Sequence, residues 1–314
     1  MKKINVILAA LTLFGLMTGC GGNTGGSNNT SVTDENDTSV IEPAGITMTL
    51  TPTEEKEGKV TFSLGGSDSA TIDWGDGSPV DSITLGRGRD FEHSYTQLSE
   101  YTIKITGENI TDLFCPGCNI TKLNLNVSTL TSLYCYYNEL TTLDVSKNTE
   151  LERLSCLHNH LTSLDVSQNT ELRILACDGN ELTSLDVSKN TKLDFLDCSS
   201  NKLTSLDVSK NPDLETLYCS FNQLTSLDIS NHPELRRLNC WDNRLTSLNV
   251  NNTESLYDIY SPDNQLSAEA LNAVFRTLCN SGTIYIGGNP GTKTCNRNIA
   301  EEKGWMVEEY DEGD

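Results

Sequence analysis

Six cysteines, Cys135, Cys156, Cys177, Cys198, Cys219 and Cys240, stand 21 residues apart, each in the same frame of leucines and one asparagine. One copy of the frame reads Leu151, Leu154, Cys156, Asn159, Leu161, and it recurs with few changes across residues 110–266. A fixed period of this length restricts the fold to a solenoid, because one unit cannot bury its apolar face alone whereas stacked units bury a continuous core. In that copy Leu151, Leu154, Cys156, Leu161, Leu164, Val166 and Leu172 are expected to point inward, with Leu154-Ser155-Cys156 forming one short strand of a parallel concave sheet.

The same register sorts the polar positions into files. Cys115 extends the cysteine file, whose members would rise by about 4.8 Å, the strand spacing. Parallel inward side chains lack disulfide geometry, and a row of thiols is not a tetrahedral zinc site, so these cysteines are expected to be small buried hydrophobes. Asn138, Asn159, Asn180, Asn201, Asn222, Asn243 and Asn264 form a second file suited to inward-turning loop carbonyls and amides, and Cys118 takes that slot in the first repeat. Asp144, Asp165, Asp186, Asp207 and Asp228 fall on turns, where Asp caps the backbone; calcium is the alternative for such an oxygen-rich file.

Function belongs to the slots the frame leaves free. On the concave face these hold Phe114, Tyr134, Tyr136, Tyr137, Phe195, Tyr218, Phe221, Trp241 and Tyr260, and of the aromatics in 110–266 only Tyr257 lies elsewhere. Arg153, Asp178, Asp197, Arg237, Asp242 and Arg244 are expected beside them. Binding surfaces are enriched in Tyr, Phe and Trp, although strand propensity alone also favours aromatics. The row Glu139, His160, Glu181, with His158 nearby, offers a weak metal reading that lacks a tetrahedral set, so no metal or cofactor is assigned. No nucleophile, base and acid stand at catalytic spacing and no phosphate loop is present, which points away from an enzyme. A formal charge of −22 excludes nucleic acid as a partner.

The flanks differ in kind. Lys2 and Lys3, the apolar run from Ile4 to Met17, then Gly19 and Cys20 read as an export signal over 1–19, too short for a comfortable span. Residues 20–45 are Gly, Ser, Asn, Thr and acids, a tether of roughly 25–30 Å. Over 46–107 the pattern alternates (Ile46 to Leu50, Val60 to Leu64, Ile83 to Leu85, Tyr101 to Ile105), which predicts a small all-β sandwich. After the repeats of 108–266, residues 267–314 predict an α/β cap: Ser267 capping a helix through Leu271, Val274, Phe275 and Leu278, then strands at Thr283 and Trp305. Cys279 and Cys295 lie outside the thiol file, and in an exported chain their pairing would contribute about 3 kcal/mol.

Several motifs carry family resemblances. The repeat frame resembles the leucine-rich-repeat signature L-x-x-L-x-L-x-x-N-x-L with Cys in the third aliphatic slot. Asp73-Trp74-Gly75-Asp76-Gly77 with Phe91-Glu92-His93-Ser94-Tyr95 resembles a PKD-type, immunoglobulin-like domain, in which Tyr95 would pin a loop. Met17-Thr18-Gly19-Cys20 resembles a bacterial lipobox, with Cys20 the lipidation site. The chain as a whole is similar to the surface leucine-rich-repeat lipoproteins of Bacteroidetes and, in architecture, to internalin-like adhesins. That resemblance implies a bacterial outer-membrane lipoprotein at the cell surface that binds a protein through its concave face. Glycan capture and a passive scaffold are the alternatives.

Overall fold

The computed structural model describes residues 44–309, all within one compact unit spanning 42–314. The expected signal segment, Cys20 and the tether up to residue 43 lie outside the described residues.

Six strands precede residue 107: β1 (Gly45–Leu50), β2 (Lys59–Gly66), β3 (Ser69–Asp73), β4 (Asp81–Thr84), β5 (Arg89–Ser94) and β6 (Tyr101–Thr106). Alternate residues of β1, Ile46, Met48 and Leu50, are fully buried, as period-two patterning requires of a strand with one face on a core. The next two strands, β7 (Ile110–Phe114) and β8 (Ile120–Asn126), lie where the solenoid was expected to begin, and they complete both sheets of the N-terminal part. β8 pairs antiparallel with β1 in a five-stranded sheet of order β4-β3-β6-β1-β8. β7 pairs antiparallel with β2 and parallel with the first repeat strand, β9 (Ser132–Tyr134), so one sheet runs from the N-terminal strands into the repeats. Phe62 of β2 packs on Trp74 and Phe91 between the layers, with ring centroids 5.5 and 6.0 Å apart.

The repeat strands are β10 (Arg153–Ser155), β11 (Ile174–Ala176), β12 (Phe195–Asp197), β13 (Thr216–Tyr218), β14 (Ser226–Asp228), β15 (Arg237–Asn239), β16 (Ser247–Asn249) and β17 (Asp258–Tyr260). β14 and β16 form a separate two-stranded sheet, and the others stack in parallel register, with Leu154 opposite Leu175, then Leu196, Leu217 and Leu238. The cap follows as α1 (Ala268–Thr277), β18 (Gly282–Tyr285), α2 (Asn298–Glu301) and β19 (Trp305–Glu308), with β18 and β19 extending the parallel sheet. Ser267 caps α1 by accepting the Ala270 amide at 3.2 Å, and Leu271, Val274 and Phe275 close the last open face of the core. One apolar core runs unbroken from Ile46 to Trp305.

Cys115 and the six repeat cysteines are fully buried free thiols, and burial raises their pKa values. The asparagine file works as expected. Asn180 Nδ2 donates to the Cys156 and Cys177 carbonyls at 3.1 and 3.0 Å while its Oδ1 accepts the Leu161 amide at 3.0 Å. The cap continues the file through Asn289, whose Oδ1 accepts the Leu266 amide. The turn aspartates each accept the amide of the serine two residues on, at 2.9 Å, which holds their carboxyls below the usual range. A second buried ladder was not anticipated: Asn169 Nδ2 donates to the Val145 and Asn148 carbonyls, Asn190 and Asn211 repeat the pattern, and His232 takes the slot one repeat later.

The expected Cys279–Cys295 disulfide is not formed; both are free thiols. The two thiols attach to different levels of the helix α1 that precedes them. Asn296, next to Cys295, is tied to Asn272 near the start of α1, whereas Cys279 lies past its end. From Asn272 to the helix end at Thr277 the rise is about 7.5 Å, which sets the two cysteines at different levels.

Because Asn180 satisfies three buried backbone groups, Asn180→Ala is expected to destabilise the chain by about 2–4 kcal/mol, the cost of orphaning them. Thermal and chemical denaturation of the variant would measure this, with Asp144→Ala on the exposed turn as the mild comparison.

Candidate binding surface

Strand alternation fixes which side chains reach the concave face. Leu154 and Cys156 point into the core, so Arg153 and Ser155 point out, and the parallel register aligns each with its counterparts in neighbouring repeats. One row runs Phe114, Tyr134, Ser155, Ala176, Asp197, Tyr218, Asn239, Tyr260, Tyr285. The row before it carries Arg153, Ile174, Phe195, Thr216 and Arg237.

A third constraint comes from the turn into each ladder asparagine. The residue just before it is left-handed in repeat after repeat: Tyr137, His158, Ser200, Phe221, Asp242 and Asp263 have φ between 49° and 55°, and Gly117, Gly179 and Gly288 fill the same slot elsewhere. Glycine accepts this geometry without strain, while a bulky residue there is costly. Gly179 is required for a second reason. A Cβ there would lie 2.4 Å from His158 Nδ1, so its absence lets His158 lie across the neighbouring repeat and stack on Tyr137 at 4.6 Å.

The expected aromatics gather in two groups. Phe114, Tyr134, Tyr136 and Tyr137 contact one another with centroids 5.6–5.7 Å apart at the first end. Phe195 meets Tyr218 at 5.8 Å and Phe221 meets Trp241 at 5.0 Å further along, and the Trp241 indole donates to Asp263 at 2.8 Å. Between the groups Leu157, Ala176 and Phe195 form a small buried apolar cluster distinct from the main core, with Tyr136, Ile174 and Tyr218 packed against it. Phe195 thus belongs to the floor of the face and not its exposed surface. Two carboxylates share that floor: Asp178 and Asp197 are each 6% exposed. Asp197 Oδ1 accepts the Ser199 amide at 3.0 Å, and Asp178 Oδ2 lies 3.4 Å from His158 Nε2. Burial, and then the Asp178 charge, push the Asp197 carboxyl up to about 7.

Arg153 stands half-buried at the first end, its Nη1 donating to Ser132 at 3.4 Å. Arg237 is exposed and donates to the Tyr257 hydroxyl at 3.1 Å, which brings into the surface the one aromatic expected outside it. Tyr260 stacks on Tyr285 of the cap at 4.4 Å, extending the aromatic row past the last repeat. Tyr285 escaped sequence reading because the 21-residue period ends before it. Arg244 is not on this face. It follows ladder Asn243, where the chain turns off the sheet, in the flank slot of Glu139, His160, Glu181 and Lys202. In that flank row His160 pairs with Glu139 and Lys202 with Glu181, each at 2.8 Å, and no cluster of three metal-ligating side chains occurs among the described residues.

Asp197 also gives the fold a pH dependence. Its folded pKa lies above its unfolded value near 4, so between about pH 4 and pH 7 the folded state holds a proton the unfolded chain has lost. That contribution is full below the unfolded value and disappears as pH rises through 7. Asp197→Asn, a neutral isostere, is expected to gain on the order of 2 kcal/mol at pH 8 and to flatten the fall of melting temperature between pH 5 and 8. A melting series over that range would check it; an unchanged slope would rule the burial effect out.

Comparison with known proteins agrees with this geometry. Residues 191–232 match the family described as "Leucine Rich repeats (2 copies)". A leucine-rich-repeat protein of Leptospira interrogans superposes with a TM-score of 0.51 at 21% identity, over 58% of this chain and 49% of that one, and shares the fold. The functional domain of InlJ from Listeria monocytogenes, described as including a cysteine ladder, is 33% identical over 63% of this chain and 48% of its own length, with a TM-score of 0.49. An internalin (inlF) of the same species is 19% identical, covering 57% of this chain and 74% of its own, with a TM-score of 0.38. The chain thus spans about half the length of the first two structures. No curated protein matches the sequence. Residues 191–232 thus carry leucine-rich repeats, and the stacked 21-residue frame around them forms a parallel β-solenoid consistent with that fold.

Proposed function

We propose that the chain is a cell-surface lipoprotein that binds another protein through the concave face of its leucine-rich repeats. The observation that carries this reading is the occupancy of the left-handed slot. Tyr137, His158 and Phe221 sit at φ of 55°, 50° and 52° where Gly117, Gly179 and Gly288 show that glycine serves the turn. A side chain in that conformation costs about 1–2 kcal/mol, and Tyr137 remains 42% exposed, so burial does not offset the cost there. Large aromatics kept at such a cost on an open face fit recognition, in which Tyr and Trp are enriched. Charges of both signs on the same face, Arg153 and Arg237 with Asp242 and Asp258, suit a protein better than a neutral glycan. The strands of the face, at about 4.8 Å each, give a length of roughly 40 Å, adequate for a standard interface.

The lipobox-like Cys20 supports anchoring in the outer membrane, with the tether holding the folded part away from the lipid. We read the N-terminal β-structure as PKD-type. The Tyr95 hydroxyl donates to the buried Trp74 carbonyl at 2.8 Å, as a loop-pinning tyrosine does, and Asp73 and Asp76 cap their own turn through the Gly75 and Ser78 amides.

The double variant Tyr137→Gly/Phe221→Gly separates folding from binding. It is expected to melt at or above the parent temperature while losing at least tenfold in affinity for an extracellular-protein ligand found by parallel protein and glycan arrays. A ligand bound equally well by the variant would move the site off this face, and a glycan lost in the same way would replace protein by carbohydrate as the target. Cys20→Ala is expected to shift the chain from the membrane to the aqueous fraction of the producing cell; retention in the membrane would reject the lipid anchor.

A further inference from the structure

The twelve-stranded sheet ends in β5 on one side and β19 on the other, and the two edges differ in kind. An edge strand presents backbone donors and acceptors with which another chain can pair, and charged side chains along it discourage that pairing. β5 is protected in this way by Arg89, Asp90, Glu92 and His93. β19 reads Trp305-Met306-Val307-Glu308, apolar but for its last residue. Its register fixes which backbone groups are open. The Ile286 amide donates to the Glu308 carbonyl at 2.9 Å, so Met306 and Glu308 turn their backbone groups to β18. Alternation then turns the amides and carbonyls of Trp305 and Val307 outwards, where no further strand is paired among the described residues. Met306 stands on the concave side of this edge, in the row of Arg237, Asp258 and Thr283. At 59% it is more exposed than any other large hydrophobic side chain among the described residues.

Charge decides what can add there. Glu308 is exposed on the strand, and Glu301 and Glu302 are exposed at the end of α2, which packs against β19. The cations of the same segment are engaged. Arg297 pairs with Glu309, and Lys303 Nζ donates to the Arg276 and Leu278 carbonyls. An edge lined by carboxylates draws lysine or arginine to the strand beside it. A second copy of the chain fits poorly, because it would bring its own Glu308 and a formal charge of −22 to the same place. We propose that β19 is a docking edge to which an extended segment of a partner protein adds as one further strand. In that segment apolar residues lying against Met306 alternate with lysine or arginine. Backbone hydrogen bonds to Trp305 and Val307 hold the segment, and its alternate side chains select it. A strand this short makes a small contact, of the kind found in weak or transient complexes.

The test titrates the isotope-labelled full chain by NMR at low salt with three probes: Ac-Lys-Val-Thr-Val-Lys-NH2, its Glu-flanked counterpart, and the Lys peptide N-methylated at its inner residues. The Lys peptide is expected to shift the Trp305 and Val307 amides and to bind at least tenfold more tightly than either of the others. Val307→Pro removes an outward donor without touching the bonds to β18, and should lose at least tenfold in affinity for the Lys peptide while keeping its melting temperature. Glu302→Gln/Glu308→Gln should cancel the preference for Lys over Glu. Equal binding of the methylated peptide, no binding of any probe at millimolar concentration, or undiminished binding by Val307→Pro would overturn the docking edge. If Val307→Pro fails to fold, the methylated peptide decides alone. Dimerisation of the free chain that Val307→Pro abolishes, measured by sedimentation, would overturn it in favour of a second copy. Tyr137→Gly/Phe221→Gly is expected to bind the Lys peptide as the parent does; a loss there would place the peptide on the concave rim and reject the edge.

Discussion

Each turn of the solenoid carries backbone carbonyls and amides into a dry core, and the ladder asparagine is what makes that possible. Asn159, for example, donates to the Cys135 and Cys156 carbonyls at 3.0 Å while its Oδ1 accepts the Leu140 amide, so one side chain stitches two repeats together. An apolar residue in that slot would leave three buried groups without partners. The second ladder, from Asn148 to Asn211, meets the same demand at the opposite corner of each repeat, and His232 replaces it there with an imidazole that reaches carbonyls at 3.0 Å on both sides. Leucines supply the burial, but the amides set the register. A repeat that slipped by one residue would strand every ladder bond along its edge.

That constraint also creates the surface. To aim the asparagine inward, the preceding residue must turn through the left-handed region, and its side chain is therefore thrown onto the rim of the concave sheet. The sequence fills the slot with glycine, with small polar residues at Ser200, Asp242 and Asp263, or with aromatic rings. Glycine fills it where a neighbour needs the space, as Gly179 does for His158, and aromatic side chains fill it where the rim is built up. The rim and the core are thus consequences of one turn, which is why a substitution can improve the backbone and remove the surface at once.

The repeats were legible in the sequence because period and chemistry coincide. Leucine, cysteine and asparagine each recur at 21 residues, and each has one physical use in a stacked unit. The alternating segments between Ile46 and Ile105 were equally readable as strands. Legibility failed where position depends on partners distant in sequence. Nothing in Ile110–Phe114 announces that it pairs antiparallel with β2 on one edge and parallel with β9 on the other. Cys279 and Cys295 looked able to pair across a loop, but Asn296 binds Asn272 inside α1 while Cys279 follows the end of that helix. The strand slots at Tyr134, Phe195, Tyr218 and Tyr260 follow from the repeat register; what does not follow is that Phe195 sinks into the floor, that Arg244 leaves the face, or that Asp178 and Asp197 meet there. The packing of Phe195 and the meeting of the two aspartates depend on side chains of neighbouring repeats, whereas Arg244 occupies the flank slot after the ladder asparagine.

The distribution of charge follows from the same stacking. Side chains 21 residues apart are neighbours, so opposite charges placed one period apart pair along the flanks: Arg173 with Asp194, Lys192 with Glu171, Lys202 with Glu181, Arg236 with Glu215. Each such exposed pair is worth little, about 0–1 kcal/mol, and together they place four cations along the sides of the solenoid. The concave floor is arranged otherwise. There Asp197 meets Ala176 and Tyr218 across the sheet, and the neighbouring repeats offer it no lysine or arginine. The two floor aspartates are held by nearer donors: the Ser199 amide donates to Asp197 and the His158 imidazole lies 3.4 Å from Asp178, so the centre of the sheet depends on backbone and ring nitrogens where the flanks depend on lysine and arginine.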